Sequence, residues 1–112
     1  MAGTRSRTVS VGKLTFSGRC IGRGSSRATH KRRWTEIDIY TCDDGGYVSV
    51  VRGVSTREAE QELVNAKPMP DAEALVDALF YNDRFSRPAH VALTASAKVD
   101  RDIAEAFAAR SA

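Results

Sequence analysis

The stretch from Trp34 to Val54 constrains the fold more than any other, because it has the pattern of two strands joined by a turn. In "RWTEIDIYTC" apolar and polar residues alternate strictly, as expected for a β-strand. "DDGG" at 43–46 supplies turn residues, and "YVSVVRGV" follows as another β-rich run. The sequence therefore predicts a β-hairpin over Trp34–Val54.

The hairpin has one clear core face and one that is half apolar. A simple closure of the four-residue turn pairs Cys42 with Tyr47, Tyr40 with Ser49, and Ile39 with Val50. The predicted core face then carries Ile37, Ile39, Thr41, Val48 and Val50. The other face carries Trp34, Tyr40 and Tyr47, interrupted by acids. We expect a helix, the N-terminal segment or a second copy of the chain to cover it, so a homodimer through these aromatic residues is one expectation.

The segments before the hairpin predict a tail, a strand and a loop. Residues 1–8 are polar and basic and are predicted to form a flexible tail, while 9–112 form a single domain. Loose alternation over Val9–Cys20 predicts the first strand. "GRGSSRATHKRR" (22–33) has no apolar periodicity and predicts a long loop.

Helical patterns follow the hairpin. Ser55 and Glu58 have capping-box spacing, and Asp71 and Ser86 are further N-cap candidates. The predicted helical segments are 55–66, 71–81, 86–98 and 99–110. A short strand remains the alternative at 86–98, where Pro88 near the start favours a helix. The prediction is an α+β fold: a small antiparallel sheet of about three strands, its strand order undetermined, packed against three C-terminal helices.

Charge is divided unevenly along the chain. Residues 1–35 hold nine of the 17 basic residues and no acid, so this third carries +9. The remaining residues hold all 14 acids and eight basic residues, which gives −6. Such an asymmetry is typical of a segment that meets an anionic partner.

The basic loop is the strongest candidate site. Arginine offers a fork of donors that matches phosphate oxygens, and Trp34 at the base of the loop could stack on an unpaired base. The candidate binding residues are Arg19, Arg23, Arg27, Lys31, Arg32, Arg33 and Trp34. The first expectation is a small non-enzymatic protein that binds nucleic acid with little sequence specificity. The alternative is a protein–protein interaction module, such as a mobile-element or phage-type inhibitor or an accessory subunit, that binds an acidic protein surface.

Other functions find little support in the residues. Cys42, His30 and His90 lie in no catalytic motif, so no enzyme activity is expected. The aspartates of "CDDGG" suit a turn, and the cysteines and histidines form no close pair, so neither a metal nor a cofactor is expected. No apolar run approaches the ~20 residues of a membrane span, and no secretory signal is recognised. Two cysteines make no disulfide framework, which favours the reducing cytoplasm.

Overall fold

The computed structural model describes residues 6–27, 32–56 and 63–111, which form an α+β fold as predicted. The main sheet is antiparallel and meanders in chain order through β1 (Arg7–Val11), β2 (Leu14–Ser25), β3 (Arg33–Cys42), β4 (Tyr47–Ser55) and β5 (Leu63–Met69). After it come α1 (Ala72–Leu79), a ribbon of β6 (Phe80–Tyr81) and β7 (Arg84–Phe85), α2 (Arg87–Ala97) and α3 (Arg101–Ser111). The described residues thus hold five strands in this sheet, where about three were predicted.

The predicted first strand, Val9–Cys20, is two strands in the structure. β1 and β2 form a tight hairpin whose turn contains Gly12 at a φ of 59°, a conformation that glycine adopts without strain. β2 then continues to Ser25, so the predicted loop over 22–33 is wrong for its first residues. Pairing with β3 overrides the weak strand propensity of the glycines in this segment. Residues 1–5 lie outside the described ranges, and the predicted tail and domain boundaries stay predictions.

The fifth strand replaces part of a predicted helix. Residues 63–69 form β5 along the edge of β4, and Ser55 ends β4, so the helix predicted over 55–66 is wrong for its described residues. Residues 57–62, with the proposed cap partner Glu58, lie outside the described ranges. Pairing with β4 overrides a local helical pattern, as tertiary context commonly does. Pro68 is tolerated because β5 is an edge strand of the described sheet, where a missing N–H can face away from the ladder.

The hairpin Trp34–Val54 is confirmed, but its predicted register is wrong by one residue. Thr41 pairs with Tyr47, and Ile39 pairs with Ser49. The turn closes through an N–H bond from Cys42 to the carbonyl oxygen of Gly46 at 3.1 Å, with both of its glycines at positive φ. A slip of one residue moves every side chain of β4 to the opposite face. Tyr47 therefore reaches the helices, where its hydroxyl donates to Asp100 Oδ2 at 2.9 Å.

The sheet is curled and buries side chains on both faces. Its helix-covered face packs Ile37, Ile39, Tyr47 and Met69 against helical residues that include Leu75, Leu93 and Ile103. Its concave face buries Tyr40, Val48 and Val50 against Val9, Val11, Leu14, Phe16 and Ala66. The N-terminal segment therefore covers the half-apolar face, one of the expected covers. The three aromatic residues predicted for a homodimer interface do not share a face of the sheet. Tyr47 lies on the helix-covered face, whereas Trp34 and Tyr40 lie on the concave face.

Two of the predicted helix starts, at Asp71 and Ser86, agree with the structure. Asp71 caps α1 through a bond from the Ala74 N–H at 2.8 Å, and Ser86 caps α2 through the Ala89 N–H at 3.3 Å. The stretch 86–98 is thus helical, as favoured over a strand. α3 begins two residues after the predicted start of 99 and ends one residue after the predicted end of 110. Val99 precedes the helix and is exposed.

Two glycines of β2 determine how closely α2 approaches the sheet. A Cβ at Gly22 would overlap the carbonyl oxygen of Ala92, and one at Gly24 would overlap that of Pro88. α2 therefore packs on the bare backbone of β2, which only glycine permits at these two positions. This packing fixes the C-terminal half of β2, where the candidate site lies.

Candidate functional site

The described members of the predicted site surround the C-terminal half of β2 and the start of β3. Arg19 and Arg23 lie on β2, Arg27 follows it, and Arg32, Arg33 and Trp34 lie at or near the start of β3. All five arginine side chains are exposed and Trp34 is half-buried. Lys31 lies outside the described residues.

A β-bulge divides these arginines between the two faces of the sheet. Arg19 pairs with Thr41 and Arg23 with Asp38, and the register shifts between Cys20 and Gly22. Without the bulge, residues 19 and 23 would share a face because their spacing is even; the extra residue reverses this. Arg19 therefore lies on the helix-covered face and Arg23 on the concave face, so the basic residues border an edge of the sheet rather than one flat surface.

Arg23 forms an ion pair within the chain. Its Nε lies 3.5 Å from Asp38 Oδ1 on the neighbouring strand, and the two side chains are 65% and 13% exposed. The Cys20 thiol, followed by the Asp38 carboxylate, raises the pKa of Arg23. Burial raises the pKa of Asp38, which the positive charges of Arg23 and Arg52 partly oppose. The guanidinium is thus held in place while most of it faces solvent.

Trp34 belongs to a second set of contacts on the same concave face. Its indole Nε1 donates to Glu36 Oε2 at 3.0 Å, and the Arg27 guanidinium lies 4.9 Å from its ring centroid. Glu36 also lies 3.7 Å from Nη1 of Arg52, its partner across β3 and β4. Because Arg27 covers one face of the ring, Trp34 is less suited to stack on a base than its sequence position suggests.

Sequence reasoning missed the residues that complete this site. Arg7, Glu36, Asp38 and Arg52 line a cavity of about 430 Å³ together with Arg23, at the open end of the concave face. The two acids position arginines: Asp38 pairs with Arg23, and Glu36 pairs with Arg52. The adjacent positions of Glu36 and Arg52 follow from the strand register, and the predicted register was off by one.

The candidate catalytic residues do not come together. His90 lies on α2 with its ring centroid 5.4 Å from that of Phe107, whereas Cys42 packs in the concave-face cluster on the other side of the sheet. Burial, followed by the nearby Asp44 and Asp43, raises the pKa of the Cys42 thiol, which disfavours the thiolate that nucleophilic chemistry needs. His30 lies outside the described residues.

Two further findings concern metals and membranes. Within residues 6–27, 32–56 and 63–111, no three side chains of histidine, cysteine, aspartate or glutamate are grouped as a metal site would require. Over the same ranges, no helix has both the length and the apolar character needed to cross a membrane.

Comparisons with protein-family models, with curated proteins and with solved structures give no match to this chain. The placement and chemistry of its own residues therefore carry the functional proposal.

Proposed function

We propose that the protein is a small non-enzymatic binding module that contacts an anionic partner through the basic residues around β2 and the start of β3. Nucleic acid is the first partner class. The observation that carries the proposal is that every described arginine of the predicted site is exposed: Arg19, Arg23, Arg27, Arg32 and Arg33. Exposed guanidinium groups bind phosphate oxygens in bidentate fashion.

The ion pair of Arg23 is compatible with this role. Its short contact engages Nε, and the 65% exposed side chain remains accessible to a phosphate. Asp38 lowers the local positive charge, however, so Arg23 contributes less than an isolated arginine would. We therefore expect modest affinity at physiological salt.

Binding of nucleic acid would depend on phosphates rather than on bases. The basic residues lie on strands and their connection, with no helix presenting them to a groove. One ring face of Trp34 is already covered by Arg27. Phosphate contacts of this kind position a protein without reading sequence.

A salt titration tests the proposal. Fluorescence anisotropy with labelled single-stranded and duplex oligonucleotides should give an affinity that falls as salt rises from about 50 to 200 mM. Replacing Arg19 with Ala should reduce the log–log slope by about 0.9 on duplex if that residue neutralises one phosphate. Arg101→Ala is the matched control, because Arg101 is equally basic and 90% exposed but lies on α3. An absence of binding to both DNA and RNA at low salt would remove nucleic acid as the partner.

The second candidate is a module that binds an acidic protein, in the role of an inhibitor or accessory subunit. A specific observation favours it: among the described residues, the outer edge of β2 beyond Gly18 has no neighbouring strand. Both cysteines are free thiols, which fits the proposed cytoplasmic setting of either candidate.

A further inference from the structure

The outer edge of β2 is paired over only part of its length. β1 pairs with Leu14–Gly18, and no described residue pairs with the outer edge of β2 beyond Gly18. An unpaired edge presents backbone N–H and C=O groups that can template another strand. The segment Cys20–Ser25, called here the free edge, is therefore a place where an extended chain can add to the sheet.

Backbone directions show which groups an added strand would meet. The Ser26 N–H donates to the Thr35 carbonyl oxygen at 3.0 Å, so Ser26 points its backbone groups toward β3. Successive residues of an antiparallel strand point these groups alternately to the two sides. The backbone groups of Arg23 and Ser25 consequently point away from β3, toward the free edge.

A groove of about 760 Å³ runs beside the free edge, next to Arg7, the first residue of β1. Arg7 and Arg23 border it on the concave side of the sheet, and Ala95 of α2 borders it on the helix side. Val91, one helical turn before Ala95, is 43% exposed and lines the neighbouring cavity with Gly24. No carboxylate lies among the described residues that line the groove.

The two sides of the free edge therefore differ in chemistry. Side chains of an extended segment alternate between the faces of a sheet, so one set would meet Arg7 and Arg23 and the other would meet Val91 and Ala95. Acidic residues suit the first set and apolar residues suit the second. We infer that the free edge accepts an extended segment of a partner protein in which acidic and apolar residues alternate. This inference rests on the proposed binding of an anionic partner and names that partner's chemistry.

Other occupants fit the free edge less well. Two copies of the chain joined through it would bring Arg7 and Arg23 of both together, and like-charge repulsion, which Asp38 offsets only in part, disfavours this. A nucleic acid could neutralise these arginines, but it lacks the peptide groups that continue a β-ladder. A peptide satisfies both requirements.

Synthetic peptides test the inference. The probe is a short peptide of alternating Glu and Val, and its counterpart replaces every Glu with Lys; binding is measured by anisotropy with the full chain. Two further analogues carry N-methyl groups, one on the amides of the Glu residues and one on those of the Val residues. One set of amides faces β2 and the other faces solvent, so one analogue should lose about tenfold in affinity or more, and the other should bind nearly normally. Which analogue loses affinity reports whether the peptide lies parallel or antiparallel to β2.

The protein side of the interface gives an independent readout. Ser25→Pro removes a backbone N–H donor that points away from β3, so it should weaken the binding of the Glu–Val peptide. Ser25→Ala keeps this donor and should leave the binding unchanged. Hydrogen exchange measures the same contact without mutation: the amides of Arg23 and Ser25 should become protected when the peptide binds.

Each of the remaining outcomes overturns the inference in a distinguishable way. Equal binding of both methylated analogues and the parent peptide would mean attraction by charge alone, and binding of an oligonucleotide but no peptide would identify nucleic acid as the partner. The proposed function survives in both cases. A dimer that forms without peptide and is lost in Ser25→Pro would assign the free edge to a second copy. Absence of binding to every anionic probe at low salt would end both proposals.

Discussion

The two halves of β2 lie on one strand but have different environments. Over Leu14–Gly18 the outer edge is paired with β1, and the side chains of Leu14 and Phe16 pack into the concave-face cluster. Over Arg19–Ser25 the outer edge has no described strand beside it, glycines contact α2, and arginines are exposed. The bulge at Ile21 lies near the start of the second half.

This difference separates the half of β2 that contributes apolar burial from the half that we propose to bind a partner. The paired half contributes apolar burial, which is the main favourable term in folding. The open half is held by β3 and by the close approach of α2, and no described strand pairs with its outer edge. Edge strands are commonly protected by bulges and charges, and β2 carries both at its open half.

Forcing α2 away from the open half should produce the largest effect. Gly24→Ala places a Cβ on the backbone of α2 at Pro88, where neither group can move without shifting the helix. We expect a loss of about 3 kcal/mol in the free energy of unfolding, at the upper end of overpacking costs. Chemical denaturation measures it, with Ser25→Ala as the neighbouring control that adds no atoms. Unchanged stability in Gly24→Ala would mean that α2 does not rest on β2.

Truncating the paired half should have a somewhat smaller effect. Phe16 is half-buried, and its ring packs edge-on against Tyr40 with centroids 5.2 Å apart. Phe16→Ala should cost about 2 kcal/mol, less than a fully buried phenylalanine would, because part of the ring already contacts water. Ser17→Ala, at the next and exposed position, should change the denaturation midpoint little. Equal midpoints for the two variants would show that the concave cluster does not stabilise the fold.

The sequence predicts the elements with local signals and misses features of both halves of β2. Alternation and turn residues predicted the central hairpin, and the caps Asp71 and Ser86 predicted where two helices begin, because these signals are local. The β1–β2 turn at Gly12 was missed, since the apolar pattern runs on through it. The part of the open half from Gly22 to Ser25 is predicted as a loop, because its glycines carry no apolar signal of their own. Their role becomes visible only when α2 is in place.

For the candidate site too, the sequence predicts what is local and misses what depends on the packing of distant segments. The excess of arginine is visible in the sequence, and most of its described members do lie together. The pairing of Arg23 with Asp38 depends on the β2–β3 register, which includes the bulge at Ile21. No local sequence pattern indicates a bulge at that residue. Neither the ion pair nor the placement of Arg19 and Arg23 on opposite faces of the sheet could therefore be predicted.

The smallest expected effect concerns the charge balance of the open half. Asp38→Asn removes the carboxylate beside Arg23 and should raise the affinity for an oligonucleotide about two- to threefold, because a partly exposed pair contributes only a fraction of a kcal/mol. Glu105→Gln is the matched control: it changes the net charge equally, but on α3, where Glu105 pairs with Arg101. Equal gains in both variants would mean that only the net charge matters.

The pH dependence of Asp38 refines this test. Burial raises its pKa above the ordinary value of 3.8, so the folded chain holds this proton more tightly than the unfolded chain does. The stability that the proton contributes is present below the ordinary value and is lost as the pH rises through the raised pKa. Protonation also releases Arg23, so oligonucleotide affinity should rise as the pH falls through that pKa. In Asp38→Asn this rise should be smaller, because the group that produces it is gone. Identical pH profiles in the two proteins would show that Asp38 does not restrain Arg23, and the open half would then bind anions independently of its own carboxylate.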